Sequence, residues 1–201
     1  AFDTKEDAPF SAVVFKTLAD PFLGKISIFK VLSGSISKDD KLYNATKDAD
    51  EKISSLFFLR GNEQIKADKV VVGDIGAFAK LEKTQTGDTL SSKENKIEYK
   101  QIKYPKPVLF YAIKAVSRAD EDKISEALQK LNEEDPTFAN EMNRETSQQV
   151  LSGLGNVQLE VLMDKLKDNY SVNTEIIEYK IPYRETIKGK SDVQGKHKKQ
   201  S

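Results

Sequence analysis

The chain has 201 residues, of which 38% are hydrophobic and 32% charged, and its 32 basic residues balance its 32 acidic ones. This length suits one large domain or two small ones. Without cysteine, a disulfide framework and thiolate chemistry are excluded, which fits a reducing cytoplasm. No apolar run approaches the ~20 residues of a membrane span, and no export signal is indicated. The balanced charge means that a nucleic-acid contact must come from a local patch.

Residues 1–92 are predicted to form an antiparallel β-barrel. Short runs rich in β-branched and aromatic residues alternate with turn residues, a pattern typical of small barrels. In the second of these runs, Ile26 and Ile28 lie on one face and Phe29 and Val31 on the other. The predicted strands are 10–18, 25–32, 42–43, 53–59, 69–72 and 75–81.

Residues 93–106 are polar, carry no periodic pattern and include Pro105, so they are predicted to be a linker. Residues 107–180 then alternate strand and helix in the order β-α-β-β-α-β, which indicates a ferredoxin-like α+β domain. Ser117 is placed to cap the first helix, which must end before Pro136. The last strand is predicted over 170–177. The first strand of this domain, 108–113, is apolar on both sides. The sheet face opposite the helices is therefore expected to be covered, for example by a neighbouring domain.

The sequence contains no catalytic constellation. The phosphate-loop pattern GxxxxGK[ST] is absent, so the chain has no visible means of binding GTP. Gly153 and Gly155 match the first two glycines of the dinucleotide-binding pattern GxGxxG, but the position of the third glycine is occupied by Gln158. A strand-to-helix turn that uses glycine's conformational freedom is the favoured interpretation. The lone His197 has no partners for metal binding or acid–base catalysis.

Three charged segments have both a plain and a functional interpretation. The acidic residues Asp48, Asp50 and Glu51 lack calcium-loop spacing, so a solvated loop is favoured. The acids 133–135 lie at a helix C-terminus, where negative charge is unfavourable. That indicates either a plain exposed end, which is favoured, or an outside cation or basic partner. The lysines of 188–199 are the patch with nucleic-acid character, and a flexible soluble tail explains them equally well.

Several segments together resemble elongation factor G, a translational GTPase. They are 20–25 (DPFLGK), 32–34 (LSG), 42–46 (LYNAT), 72–75 (VGDI) and 86–90 (TGDTL) in the first unit, 131–138 (LNEEDPTF) and 152–155 (SGLG) in the second, and 181–187 (IPYRETI) with 198–201 (KKQS) at the end. The resemblance implies domain II at 1–92, domain III at 107–180 and a truncated start of domain IV at 181–201. Where that family has GELHLE, this chain has GNVQLE, which favours a paralogue of the housekeeping factor.

By this resemblance, the chain is an internal, non-catalytic fragment of a cytoplasmic, monomeric GTPase that drives tRNA–mRNA translocation. Lys25, Lys198 and Lys199 are implied contacts to small-subunit ribosomal RNA. Gly153, Gly155 and Gln158 are implied to form a turn near the switch regions of the absent GTPase domain. That domain and the rest of domain IV would be the intramolecular partners. GTP and magnesium would belong to the full-length protein, and this chain would bind no cofactor or metal and contact no membrane.

Two alternatives stay open. A ribosomal protection or ribosome-release factor would share this architecture and would differ at the tip of domain IV. A regulatory protein whose ferredoxin-like domain binds a small effector is the alternative from another class, although the sequence shows no effector pocket.

Overall fold

The structure is a computed structural model and describes residues 5–20, 23–61 and 63–197. Its first part is all β, as the sequence predicts. The strands are β1 (Ser11–Asp20), β2 (Gly24–Ser33), β3 (Ser35–Ser37), β4 (Leu42–Asn44), β5 (Ala49–Glu51), β6 (Ser55–Arg60), β7 (Glu63–Lys66), β8 (Lys69–Val71), β9 (Ile75–Ala79) and β10 (Thr89–Ser91). Eight of them form one sheet in the order β5-β4-β10-β1-β2-β9-β6-β7, and β3 pairs with β8. All these pairings are antiparallel.

Both faces of β2 are buried, because its two apolar sets enter different clusters. Phe29 and Val31 are fully buried in the main core, where the Phe29 ring stacks on Phe78 at 4.3 Å between centroids. Ile26 and Ile28 pack in a second, smaller cluster on the other side of the sheet. The predicted alternation is therefore confirmed, and it explains how so small a barrel buries two apolar layers.

The acidic segment at Asp48–Glu51 is not the solvated loop that we predicted. Residues 49–51 form β5, which pairs with β4. The Glu51 carboxylate accepts hydrogen bonds from the backbone N–H groups of Glu82, Lys83 and Thr84, at 2.7–3.1 Å, and from the Thr84 hydroxyl. Glu51 thus fastens the loop after β9 to the edge of the barrel sheet. The pattern of apolar residues could not indicate this, because the bonds run to backbone donors.

The second part has the predicted β-α-β-β-α-β order. Its elements are β11 (Leu109–Ala115), α1 (Arg118–Glu134), β12 (Ala139–Asn143), β13 (Gln148–Gly153), α2 (Asn156–Tyr170) and β14 (Thr174–Ile177). The sheet is antiparallel in the order β12-β13-β11-β14. Leu128, Leu159 and Leu166 are fully buried between the helices and one sheet face.

Capping residues set the helix limits. Ser117 caps α1 in a capping box with Asp120, whose carboxylate also accepts from the Asn173 backbone at 3.0 Å. These hydrogen bonds hold the pKa of Asp120 below its usual value, and the bond from the Ser117 hydroxyl has the largest effect. Our prediction that the last strand begins at Tyr170 is wrong. Tyr170 ends α2, and Ser171 follows with φ 54°, a left-handed residue that closes the helix.

The chain itself covers part of the second face of this sheet. After β14, the Gln148 side chain donates to the Glu178 carbonyl at 2.7 Å and accepts from the Lys180 N–H at 2.9 Å. Tyr179 stacks on Phe110 with 6.1 Å between the ring centroids. Residues 178–180 thus supply part of the expected cover, while Phe110 remains 46% exposed.

The segment between the two parts is irregular but held at both ends. No helix or strand lies between Ser91 and Leu109. Tyr99 donates from its backbone to the Thr89 hydroxyl at 3.0 Å and shares a hydrogen bond with Ser11. At the far end, the Val108 N–H donates to the Gly153 carbonyl at 2.9 Å. The domain limits 1–92, 93–106, 107–180 and 181–201 themselves stay predictions.

Candidate functional site

The turn between β13 and α2 is organised by the side chain of Gln158. Its carbonyl oxygen accepts from the Leu154 N–H at 2.7 Å. Its amide nitrogen donates to the Thr137 hydroxyl at 2.6 Å and to the Asp135 carboxylate at 3.1 Å. One side chain therefore joins this turn to the loop after α1. The N–H of Leu154 is occupied by Gln158, so it is not available to a phosphate.

The same cluster keeps Asp135 charged. Burial opposes ionisation of this carboxyl, but hydrogen bonds from Thr137 and Gln158 outweigh the burial and hold its pKa below the usual value. An ionised Asp135 is an acceptor at both oxygens, which suits the donors that surround it. The family resemblance implied that Gly153, Gly155 and Gln158 form a turn near the switch regions, a role that stays a prediction. The structure places the three residues at the junction of β13 and α2. It adds Asp135 and Thr137, which sequence reasoning missed because they lie 23 and 21 residues from Gln158.

The two glycines have different roles from the one we predicted. Neither Gly153 nor Gly155 has a left-handed φ; that of Gly155 is 177°, an extended value open to any residue. At Gly153 the requirement is space, because an added Cβ would lie 2.7 Å from the Gln158 side-chain oxygen and 2.9 Å from Leu159. At Gly155 nothing lies within 4 Å of that position.

We therefore expect Gly153→Ala to lower the free energy of unfolding by about 1–3 kcal/mol, the usual cost of overpacking a filled site. Leu159 is fully buried and Gln158 is tied by three bonds, so neither can move away freely. Gly155→Ala is the matched control and should cost at most about 1 kcal/mol, the effect of a poorer helix cap. Urea unfolding of both variants checks this; equal losses would contradict it.

A second cluster joins the barrel to the ferredoxin-like domain at Glu134, the last residue of α1. Its carboxylate accepts from the Ala19 N–H of β1 at 2.8 Å and lies 3.4 Å from the Lys165 ammonium of α2. The Glu134 carbonyl accepts from Lys16 of β1 at 3.1 Å. The Glu134 side chain is only 13% exposed, so these contacts form a shielded polar junction between the domains.

This junction corrects the interpretation that we favoured for the acids at 133–135. Glu134 is not a plain exposed helix end, because two lysines offset its charge and the negative end of the helix dipole. The basic partner is internal: Lys16 comes from the barrel and Lys165 from the second helix. The sequence signal was the unfavourable placement of acids at the C-terminal end of α1, which pointed to a partner without naming it.

Lys25, predicted to contact RNA, lies on an open cleft between the two domains. The cleft has a volume of about 930 Å³, and Glu126, Lys130, Glu133 and Asp168 of the ferredoxin-like domain are also among its lining residues. The Lys25 ammonium donates to the Glu82 carbonyl at 3.2 Å. Its role as a phosphate contact stays a prediction.

Lys198 and Lys199 lie outside the described residues, so the structure says nothing about these two predicted RNA contacts. The described part of the final segment, 181–197, has no helix or strand and is exposed throughout. One ion pair, between Arg184 and Glu145, joins it to the hairpin of β12 and β13.

Among the residues that the structure describes, no cluster of three or more histidine, cysteine or acidic side chains could hold a metal ion. Over the same residues, neither helix has the length and apolar character needed to span a bilayer.

Comparison with known proteins identifies both parts of the chain. Residues 9–93 match the family model described as elongation factor G domain 2, and residues 104–178 match that of elongation factor G, domain III. The elongation factors G of Thermotoga maritima and Thermotoga petrophila are each 39% identical over 196 residues, which is 98% of this chain and 28% of those proteins.

A crystal structure of a Thermus thermophilus protein superposes with a TM-score of 0.76 at 29% identity, covering 89% of this chain and 27% of that one. The chain therefore spans little more than a quarter of the relatives that it matches. The domain 2 match falls on the barrel, and the domain III match falls on the ferredoxin-like domain that follows it. The chain belongs to the elongation factor G family and carries its domains II and III.

Proposed function

We propose that this chain is part of a ribosome-binding translation factor that uses GTP hydrolysis, in its complete form, to drive movement of tRNA and mRNA. The observation that carries the proposal is the 39% identity across 98% of the chain, with both domains in order. The chain's own share would be ribosome contact and relay between domains rather than catalysis. GTP and magnesium would bind to a separate GTPase domain, and the protein would act as a cytoplasmic monomer.

The relay is supported by two polar junctions formed by consecutive residues at the C-terminal end of α1. Glu134 ties α1 to the barrel, and the neighbouring Asp135 is tied by Gln158 to the N-terminal turn of α2. A displacement of that turn would therefore reach the barrel contact through adjacent residues. Packed elements of this kind switch between discrete arrangements, which is what a relay needs.

A surface beside the Gln158 turn would receive the GTPase domain. Leu154, in the turn just before α2, is 39% exposed, and Val157 and Val161, four residues apart on α2, are 73% and 47% exposed. Exposed apolar residues grouped on one helix face favour contact with another protein surface. Contacts to small-subunit ribosomal RNA would come from Lys25 and from Lys198 and Lys199.

Gln158 favours a second candidate within the family, a ribosomal protection or ribosome-release factor. The Gln158 side-chain amide accepts one hydrogen bond and donates two at the turn. A neutral histidine, the residue usual for this family at that position, has only one donor and one acceptor. The turn is thus built differently here, which supports a paralogue over the housekeeping factor.

Ribosome-dependent GTP hydrolysis by the full-length protein tests the proposal, with this chain alone as control. Strong stimulation by ribosomes, and no hydrolysis by the chain, are expected. Absence of stimulation would leave the chain a binding module, and a thermal-shift screen with small metabolites would then test the effector-binding alternative.

A further inference from the structure

The linker between the two domains begins the longest stretch of the chain that contains no acidic residue. From Tyr99 to Ala119 there are five basic residues and no acidic one, although the whole chain balances 32 against 32. The basic residues are Lys100, Lys103, Lys106, Lys114 and Arg118. The first three fall within seven residues of the linker, so positive charge is concentrated there.

These three lysines are exposed and form no ion pair within the described residues. Two lysines just before them behave differently: Lys93 pairs with Asp50 at 2.9 Å and Lys96 with Asp48 at 2.8 Å. The linker therefore changes, near Tyr99, from lysines neutralised on the barrel to lysines that present their charge to solvent.

The linker is also restrained, which lowers the entropy lost when a partner binds. Its ends are fixed by the bonds of Tyr99 and Val108. Pro105 fixes one φ angle and drives Tyr104 towards an extended conformation. An extended polyproline-type chain repeats every three residues with a rise of ~3.1 Å per residue. In that geometry lysines three apart would share one edge, about 9 Å from one another.

We propose that the segment 100–106 is an RNA-binding edge on which Lys100, Lys103 and Lys106 contact successive phosphates of one RNA backbone. Lysine ammonium groups neutralise phosphates and release counterions, which gives affinity without sequence preference. Tyr104 is 38% exposed and Ile102 67%; at three residues per turn they lie on the edges beside the lysines, where they can contact ribose.

A single row of lysines is better suited to binding a nucleic-acid backbone than a membrane surface. A lipid surface is bound by an amphipathic helix or a broad basic patch, whereas this segment is irregular and one lysine wide. The choice of RNA rests on the proposed ribosomal function; the contact itself can be measured without ribosomes or GTP.

The test is binding of a fluorescein-labelled RNA duplex of arbitrary sequence to this chain, followed by anisotropy across a series of salt concentrations. The triple variant Lys100→Gln, Lys103→Gln, Lys106→Gln removes three phosphate contacts. The slope of log K against log salt should then become shallower by roughly 2–3, since each phosphate contact contributes about 0.9 on B-form DNA and about 0.7 on a single strand. Because all three side chains are exposed, the melting temperature should not change.

The matched control replaces Lys38, Lys69 and Lys130 with glutamine. It removes the same charge from three surface lysines already paired with acids. Its slope should change by less than about 1. Equal changes in the two triple variants, an unchanged slope in the linker variant, or no binding of RNA by the unmodified chain would each overturn the proposal. So would linker-dependent binding to anionic vesicles without binding to RNA.

A negative result here is distinguishable from failure of the proposed function. Loss of the linker contact leaves ribosome-stimulated GTP hydrolysis as an independent result. Conversely, an inactive full-length protein would not alter the salt slope measured with the isolated duplex.

Discussion

Replacing Glu134 with alanine is expected to loosen the contact between the barrel and the ferredoxin-like domain, leaving only the bond from Lys16 to the Glu134 carbonyl at this junction. The substitution removes the acceptor of the Ala19 N–H and the partner of Lys165 in one step. A hydrogen bond to a charged group contributes about 1.5–3 kcal/mol. The equilibrium constant between the closed and the open junction should therefore fall by about tenfold or more. Hydrogen exchange at the Ala19 amide should accelerate accordingly. Residual dipolar couplings from the two domains should cease to fit a single alignment tensor.

Glu133→Ala is the matched control for this variant. Glu133 is the preceding acid on α1 and lines the open cleft rather than the junction. Its removal takes away the same charge near the same helix end, so it should leave the Ala19 exchange rate and the shared tensor unchanged. If both variants kept one tensor, Glu134 would not hold the domains together, and the relay would need another physical basis.

Glu51→Ala should lower the free energy of unfolding of the barrel by about 2–3 kcal/mol. The carboxylate accepts three backbone N–H groups and one hydroxyl from the loop at Glu82–Thr84. Thr84 is fully buried, so removing its acceptor leaves a buried N–H without a partner. The Thr84 hydroxyl also accepts a hydrogen bond from the Asn44 side chain, so the variant disturbs a connected buried network.

The loss can be measured from the urea midpoint of resolved barrel amide signals, with the slope of the transition unchanged. Asp50→Ala is its control, because the neighbouring carboxylate is exposed and forms only a surface pair with Lys93. That pair contributes at most about 1 kcal/mol. A Glu51 variant no less stable than the Asp50 variant would show that water replaces the carboxylate at this loop.

Apolar periodicity was sufficient to predict the longer regular elements of both domains. The two faces of β2 were correctly separated, and the stripe of Ile124, Leu128 and Leu131 defined the buried side of α1. Ser117 and Pro136 located the limits of that helix, because capping and proline act on the local backbone. The strands β3, β5, β7 and β10 were missed because each holds at most one large apolar residue, whereas the equally short β4 and β8 hold two and were predicted.

The candidate site was only half predictable for a physical reason. Gly153, Gly155 and Gln158 are close in sequence, whereas Glu134 acts through Ala19 and Lys165, which lie 115 and 31 residues away. Such contacts depend on the final packing of two domains and leave no periodic signal. The unusual acids at a helix C-terminus were the one local indication, and the plain interpretation of them was wrong. The charge asymmetry of the linker was visible in the sequence and was missed.

The most direct test of the account is GTP hydrolysis by the full-length protein on ribosomes, with movement of the mRNA followed in the same reaction. We predict strong stimulation of hydrolysis by ribosomes, advance of the mRNA by one codon, and no hydrolysis by this chain alone. Stimulated hydrolysis without mRNA movement would favour a protection or release factor. Hydrolysis that is indifferent to ribosomes would contradict the proposed function.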